Sequence, residues 1–219
     1  MAASSSGVGP LDPDLSEEAA LLRGGFSCVA GVDEAGRGAW AGPLVAAAVI
    51  LPAPDSAPYD ALAGVRDSKQ LSASRRDRLY DAVVAHARAV GIGAVAADEI
   101  DLLGLTAANE LAMIRAVRAL PMKPDFVLVD AFTLKSLTLP QRGLIKGDQR
   151  SLSIAAASII AKVYRDRWLA ALADTYPGYG FEQHRGYGAA VHQRALRDLG
   201  PTPIHRLSYA PLRALVPTP

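Results

Sequence analysis

The chain has 219 residues, half of them hydrophobic, and a formal net charge of +1. That length allows one domain with a sizeable core, or one and a half domains, and the near-neutral balance does not advertise nucleic-acid binding, for which a strongly basic domain is the plain expectation. No apolar run is long enough to cross a bilayer, no basic-then-apolar leader opens the chain, and the single cysteine, Cys28, excludes an internal disulfide and argues against a cysteine-based zinc site; a cytoplasmic protein is expected.

Residues 1–24 are rich in Ala, Ser, Gly and Pro, with acids at 14–18, and read as a mobile tail passing into a weak helix. Two short apolar runs, 29–34 and 44–51, are divided by the glycine turn Gly36-Arg37-Gly38 and read as adjacent strands. A Pro-rich loop, 52–58, leads to Asp67-Ser68-Lys69. Ser74 and Asp77 then have capping-box spacing and open a helix toward His86. Residues 90–96 read as a third strand, and 100–120 as a helix weakened near its start by Gly104. Residues 126–129 are wholly apolar, the type of strand buried on both faces. A long helix covers 153–173, and the aromatic, Pro/Gly-rich remainder holds one helix near 189–199. Strands first and strand–helix alternation later predict an α/β fold, a mixed sheet flanked by helices.

In such sheets, sites gather beyond the carboxyl ends of the strands. Asp33, Glu34 and Asp130 all stand there. Buried carboxylates are costly unless a cation meets them, and a divalent metal is the leading explanation for the pair Asp33-Glu34. Asp166 shares one helical stripe with Ile159, Val163 and Ala170, so it is expected to face the sheet and supply a fourth acid; the alternative is an ion pair with Lys162, Arg165 or Arg167. Four acids without a Cys/His cluster suit two magnesium or manganese ions rather than zinc. Such a pair, roughly 3.5–4 Å apart, can drive phosphodiester hydrolysis. Adjacent strand residues point to opposite faces, so Asp33 is expected to be the central ligand. Glu34 reaches the ions only if the strand twists out, or through water or its carbonyl. Basic groups cluster at Arg75/Arg76/Arg78, at Lys135/Arg142/Lys146/Arg150 and at Lys162/Arg165/Arg167; each is an ordinary solvated face unless all share one phosphate-binding surface.

The run from Gly31 to Gly38, with Ala41-Gly42-Pro43 after it, resembles the opening motif of bacterial ribonuclease HII. The resemblance continues in order through Asp67-Ser68-Lys69, Val129-Asp130 and Lys146-Gly147-Asp148. Ser153-Ile154-Ala155-Ala156-Ala157-Ser158, Arg165-Asp166-Arg167, Gly186-Tyr187-Gly188 and His205-Arg206-Leu207-Ser208-Tyr209 follow. It covers about residues 27–215. It implies a ribonuclease H-like catalytic domain over 25–173 and a small helical, substrate-binding extension over 174–219. It carries the family's four metal-associated acids onto Asp33, Glu34, Asp130 and Asp166. Gly36, Arg37 and Gly38 would sense a ribose 2′-hydroxyl through the main chain, Tyr187 would pack on the sugar beside the scissile bond, and Lys69 and Lys162 would lie near substrate. His184, His192 and His205 are expected to be structural hydrogen-bonders. The implied activity, by a monomer, is cleavage of RNA/DNA hybrids and of duplex DNA 5′ of an embedded ribonucleotide, using two Mn²⁺ or Mg²⁺ ions. A same-fold nuclease for other DNA structures and a non-catalytic nucleic-acid-binding module stand as alternatives.

Overall fold

The computed structural model describes residues 12–54 and 59–215. One mixed sheet has the strand order β3-β2-β1-β4-β5. Its strands are β1 (Val29–Ala35), β2 (Leu44–Ile50), β3 (Ala89–Val95), β4 (Phe126–Asp130) and β5 (Gln141–Leu144). The first three pair antiparallel, while β4 and β5 join parallel to β1. Every residue of β2 is buried, as its unbroken apolar run requires of a strand covered on both faces.

The alternation of side chains along β1 divides the core in two. Ala30 and Val32 pack with Ala112 and Met113 of a helix on one face. On the other, Val45, Ala47 and Val49 of β2 pack with Ala155, Ala156 and Ile159 of a long helix. Ala155, Ala156 and Ala157, all fully buried, let this helix approach the sheet closely. The backbone at Ser153 stands so near β1 that a Cβ on Gly31 would fall 2.3 Å from it.

In chain order the helices are α1 (Ser16–Arg23), α2 (Ala73–His86), α3 (Ala97–Leu103), α4 (Leu105–Arg118), α5 (Leu152–Ala171), α6 (Phe181–His184), α7 (Ala190–Leu199) and α8 (Ala210–Arg213). Four expectations need correction. Ser72, not Ser74, caps α2, because its side chain accepts from Arg75 N. Gly104, at φ +77°, divides the expected helix 100–120 into α3 and α4. Strand β5 is absent from the sequence pattern, since Gln-Arg-Gly-Leu carries no apolar run.

The fourth correction concerns the N-terminal segment. Residues 1–11 of the expected tail lie outside the described residues, but α1 is docked. Glu18 is buried and accepts from Ser151 Oγ, Ser153 N and Ser153 Oγ at the start of α5. Glu17 pairs with Arg142 and Arg150, so two cations of the second basic cluster hold α1 in place. At the other end, Tyr179, Phe181, Leu196 and Leu212 pack on Ala41 and Leu169. That contact sets the C-terminal segment against the loop leaving β1. No helix among the described residues is long and apolar enough to cross a membrane.

Candidate active site

Strand register brings the first two acids together. Val32 pairs with Val129 across parallel β1 and β4, so Asp33 and Asp130, the next residue of each strand, stand side by side at the carboxyl ends. After β5, Lys146 turns the chain at φ +54°, and a 3₁₀ turn over Gly147–Gln149 delivers Asp148. Oxygen atoms of Asp33, Asp130 and Asp148 all lie within 4.8 Å of one another. Gly147 N donates to Asp130 Oδ1 at 2.8 Å, and Glu34 N donates to Asp33 Oδ1 at 2.7 Å. Glu34 is half-buried and is the next residue along β1, so its side chain leaves the opposite face.

The electrostatics report a site short of positive charge. Burial, then Glu34, Asp130 and Asp148 in turn, pushes the Asp33 carboxyl well above the usual range. Burial and Asp130 raise Glu34, with Arg37 and Lys69 opposing. Asp148 is pushed up to about 6 by burial, Asp67 and Asp130. Burial opposes the charge on Lys69, yet Asp33, Asp67, Asp148 and Glu34 together hold its ammonium above the ordinary lysine value. A donor set made wholly of carboxylate oxygens fits hard divalent cations, and neutralising such crowded acids is what those ions do.

A cleft of about 610 Å³ opens at Glu34 and Asp130. Glu34, Gly36, Arg37, Gly38, Lys69, Asp130, Lys162 and Tyr187 line it. The cations of Lys162 and Arg165 lie 5.3 and 5.4 Å from the centroid of the Tyr187 ring. The two glycines of the turn differ in kind. Gly36 has φ +89°, and a Cβ there would fall 2.0 Å from Arg165 Nε. Gly38 has no positive φ, and a Cβ there would meet nothing within 4 Å.

The ribonuclease HII family profile matches residues 30–212. The chain belongs to the ribonuclease HII family. Ribonuclease HII of Chloroflexus aurantiacus is 55% identical over 200 residues, covering 91% of this chain and 94% of the relative. That of Bacillus velezensis is 51% identical over 190 residues, covering 87% of this chain and 72% of the relative. The crystal structure of ribonuclease H2 from Pyrococcus horikoshii superposes with a TM-score of 0.72 at 27% identity, covering 86% of this chain and 97% of that one. The chain is thus a metal-dependent ribonuclease H-type hydrolase with a ribonuclease H-like fold.

Within this ribonuclease HII site, one expected acid is displaced. Asp166 is not part of the acidic group. Its Oδ1 accepts from Lys162 Nζ at 2.8 Å, and it lines a separate pocket with Ala73, Arg76 and Asp77. The reason is length. With Ser153 set beside Gly31, the helix travels about 20 Å to reach Asp166, whereas β1 travels only about 13 Å from Gly31 to its end at Ala35. The helix therefore overshoots the sheet. Beyond Ala161 its most buried positions are Arg165 and Leu169, which face the C-terminal segment, and the stripe holding Asp166 turns toward α2.

Asp148 takes the vacant place in the acidic group. Lys146-Gly147-Asp148 is visible in the sequence, but without β5 it has no strand end to stand on. Several members of the basic clusters are held by protein groups. Arg167 pairs with Asp77, Arg76 Nη1 donates to the carbonyls of Ser68 and Leu71, and buried Arg165 donates to those of Pro43, Ala41 and Arg185. Trp40 packs against Gly188, where a Cβ would fall 2.3 Å from its ring.

Proposed function

We propose that this enzyme cleaves the RNA strand of RNA/DNA hybrids and cuts duplex DNA 5′ of an embedded ribonucleotide, leaving 5′-phosphate and 3′-hydroxyl ends. The observation that carries the ribonucleotide reading is Gly38. Neither backbone conformation nor packing excludes a side chain there, yet the position lines the cleft beside Asp130 and Tyr187. A glycine with no reason to be one for folding fits close approach of a sugar to the main chain, the approach by which a 2′-hydroxyl is read.

In this reading Asp33, Asp130 and Asp148 would hold two Mn²⁺ or Mg²⁺ ions, with Glu34 contributing through water or its carbonyl, and Asp33 is the most enclosed of the three. Bound there, the ions supply an activated water and stabilise the departing 3′-oxygen. The remaining work falls to the protein's own groups. Lys69, whose ammonium faces the acids, balances their charge and meets the scissile phosphate as it enters. Arg37 adds a second cation at the cleft. Tyr187 presents its ring to the sugar, backed by Lys162 and Arg165. Residues 25–173 supply the acids and 174–219 the extension that carries Tyr187, in a single protomer.

The test is cleavage mapping on one duplex made in three forms: all-DNA, singly ribonucleotide-substituted, and RNA/DNA hybrid, each in Mg²⁺ and in Mn²⁺. Cutting confined to ribonucleotide-containing strands, and lost in Asp33→Asn with binding retained, is the expected result. Equal cutting of the all-DNA duplex would instead assign the site to a nuclease with another target.

A further inference from the structure

The turn that this reading places against the ribose is held from below by two residues of the C-terminal segment. Arg206 is fully buried and has no carboxylate partner among the described residues. Its Nε and Nη2 donate to the carbonyl of Gly42 at 3.0 and 2.9 Å. Its Nη1 donates to the carbonyl of Arg37 at 3.1 Å and to Tyr209 Oη at 2.9 Å. Tyr209 Oη in turn donates to the same Arg37 carbonyl at 2.7 Å. One peptide oxygen, in the middle of Gly36-Arg37-Gly38, thus accepts two side-chain hydrogen bonds from a segment about 170 residues away in sequence.

A peptide unit is planar and trans, so its N–H points opposite to its C=O. The carbonyl of Arg37 and the N–H of Gly38 belong to one such unit. With the oxygen drawn down onto Arg206 and Tyr209, the Gly38 N–H is turned away from the C-terminal segment. It donates to no protein acceptor among the described residues. Gly38 is itself exposed and lines the cleft. An unspent donor on a fixed plane beside the acidic site is suited to a neutral oxygen on the substrate.

The geometry points to Tyr209 as a specificity-positioning residue: its hydroxyl, together with Arg206, locks the Arg37–Gly38 peptide plane so that the Gly38 N–H is aimed at the ribose 2′-oxygen. The inference deepens the ribonucleotide reading and rests on it. Arg206 charges the lock, since a buried cation polarises the hydroxyl it donates to and so strengthens that hydroxyl's own bond to the Arg37 carbonyl. Tyr209 makes it adjustable, being only half-buried and removable atom by atom.

The experiment is Tyr209→Phe in the full-length protein, which deletes one oxygen and keeps the ring that lies against the Arg206 guanidinium. Steady-state kinetics are measured on duplex DNA carrying one ribonucleotide. Affinities for that duplex and for its all-deoxy counterpart are compared in Ca²⁺. The expected result is a loss of about 3- to 10-fold in kcat/KM on the ribonucleotide substrate, the size of one hydrogen bond. The affinity ratio of ribo- to deoxy-duplex should fall by the same factor, and all-DNA affinity should stay within about twofold. A merely structural tyrosine would weaken both duplexes alike or neither, and either outcome overturns the inference. If the wild-type enzyme itself fails to favour the ribonucleotide duplex, the ribonucleotide reading falls with it. Normal wild-type discrimination with an unchanged ratio in the variant sinks the lock alone.

Discussion

Replacing Asp148 with Asn removes one of three crowded carboxylates while keeping its volume. The folded protein holds this group at about 6, against an ordinary value of 3.8. A carboxyl raised on folding contributes stability that is fully present below its unfolded value and is lost as pH rises through the folded one. Above pH 6 the metal-free protein therefore carries Asp148 as a strained anion. The shift corresponds to about 3 kcal/mol at most, and to roughly 1–2 kcal/mol once solvent screening and the neighbouring acids' own proton uptake are counted. For a chain of this size that is about 2–8 °C in Tm. The assay is thermal denaturation in EDTA at pH 8 and pH 5, paired with cleavage in Mg²⁺. Asp148→Asn should melt higher than wild type at pH 8, by only about half as much at pH 5, which lies midway between the unfolded and folded values, and should lose at least about 100-fold in activity, the scale for disrupting a metal's ligand arrangement. Asp166→Asn forfeits only a pair with Lys162, worth about 0.5 kcal/mol, and should keep activity within about threefold. A stable, active Asp148→Asn beside an inactive Asp166→Asn would refute the assignment and restore Asp166 to the site.

Gly38→Ala should leave Tm unchanged within about 1 °C, since a Cβ there meets nothing within 4 Å, yet cut activity on a ribonucleotide duplex by about 100-fold, the cost of misplacing a substrate by an ångström or so. Ala131 follows Asp130 at φ +66°, where a Cβ costs about 1–2 kcal/mol. Ala131→Gly should raise Tm by a few degrees after its own unfolded-state entropy is deducted, with the cleavage pattern unchanged.

The centre of the fold is legible from sequence because burial there is uniform. β2 sits between two neighbours under helices on both faces, so its code is a plain apolar run. β1 ends where its apolar run meets Asp33-Glu34. What is illegible has a common cause, which is that position in three dimensions replaces local pattern. β5 is the sheet's edge, half-exposed and short, and demands no apolar run; without it Asp148 looks like any acid in a turn. The stripe on α5 is a true helical stripe, but periodicity does not say how far along the helix the sheet extends. Ser72 and Ser74 both stand at the start of the helix, and sequence alone does not choose between them as the cap. The non-glycine residues with positive φ among the described residues, Ala131, Lys146 and Arg185, precede or follow Asp130, Asp148 and Tyr187 by one or two residues. Such strain persists where surrounding structure over-determines it, and it has no signature in residue type.

The histidines, read as structural rather than metal-binding, resolve into a proton-ordered chain. Thr202 N donates to His205 Nδ1 at 2.8 Å, so His205 carries its proton on Nε2 and donates it to His192 Nε2 at 3.0 Å. His192 is then protonated on Nδ1 and donates to the carbonyl of Tyr187 at 2.9 Å. Gly186 N donates to His184 Nδ1 at 3.2 Å, so His184 offers its Nε2 proton to Tyr179 O at 2.8 Å. Every ring nitrogen is occupied, and both ends of the loop bearing Tyr187 are gripped by neutral imidazoles.

Burial holds His192 and His205 down to about 4. A depressed group contributes stability that is present above its unfolded value, near 6.5, and is lost as pH falls through the folded one. Asp33, Glu34 and Asp148 act in the opposite sense, losing stability as pH rises. Between pH 4.5 and 6.5 the two sets oppose each other in the metal-free protein, and Tm should rise less with pH than the histidines alone would make it. Divalent ions abolish the penalty on the acids and leave the histidines alone. In saturating Mg²⁺, Tm should therefore climb across the same interval, with a slope of up to about 1.4 kcal/mol per pH unit for each net proton. Parallel curves with and without metal would mean that the ions do not bind at these carboxylates.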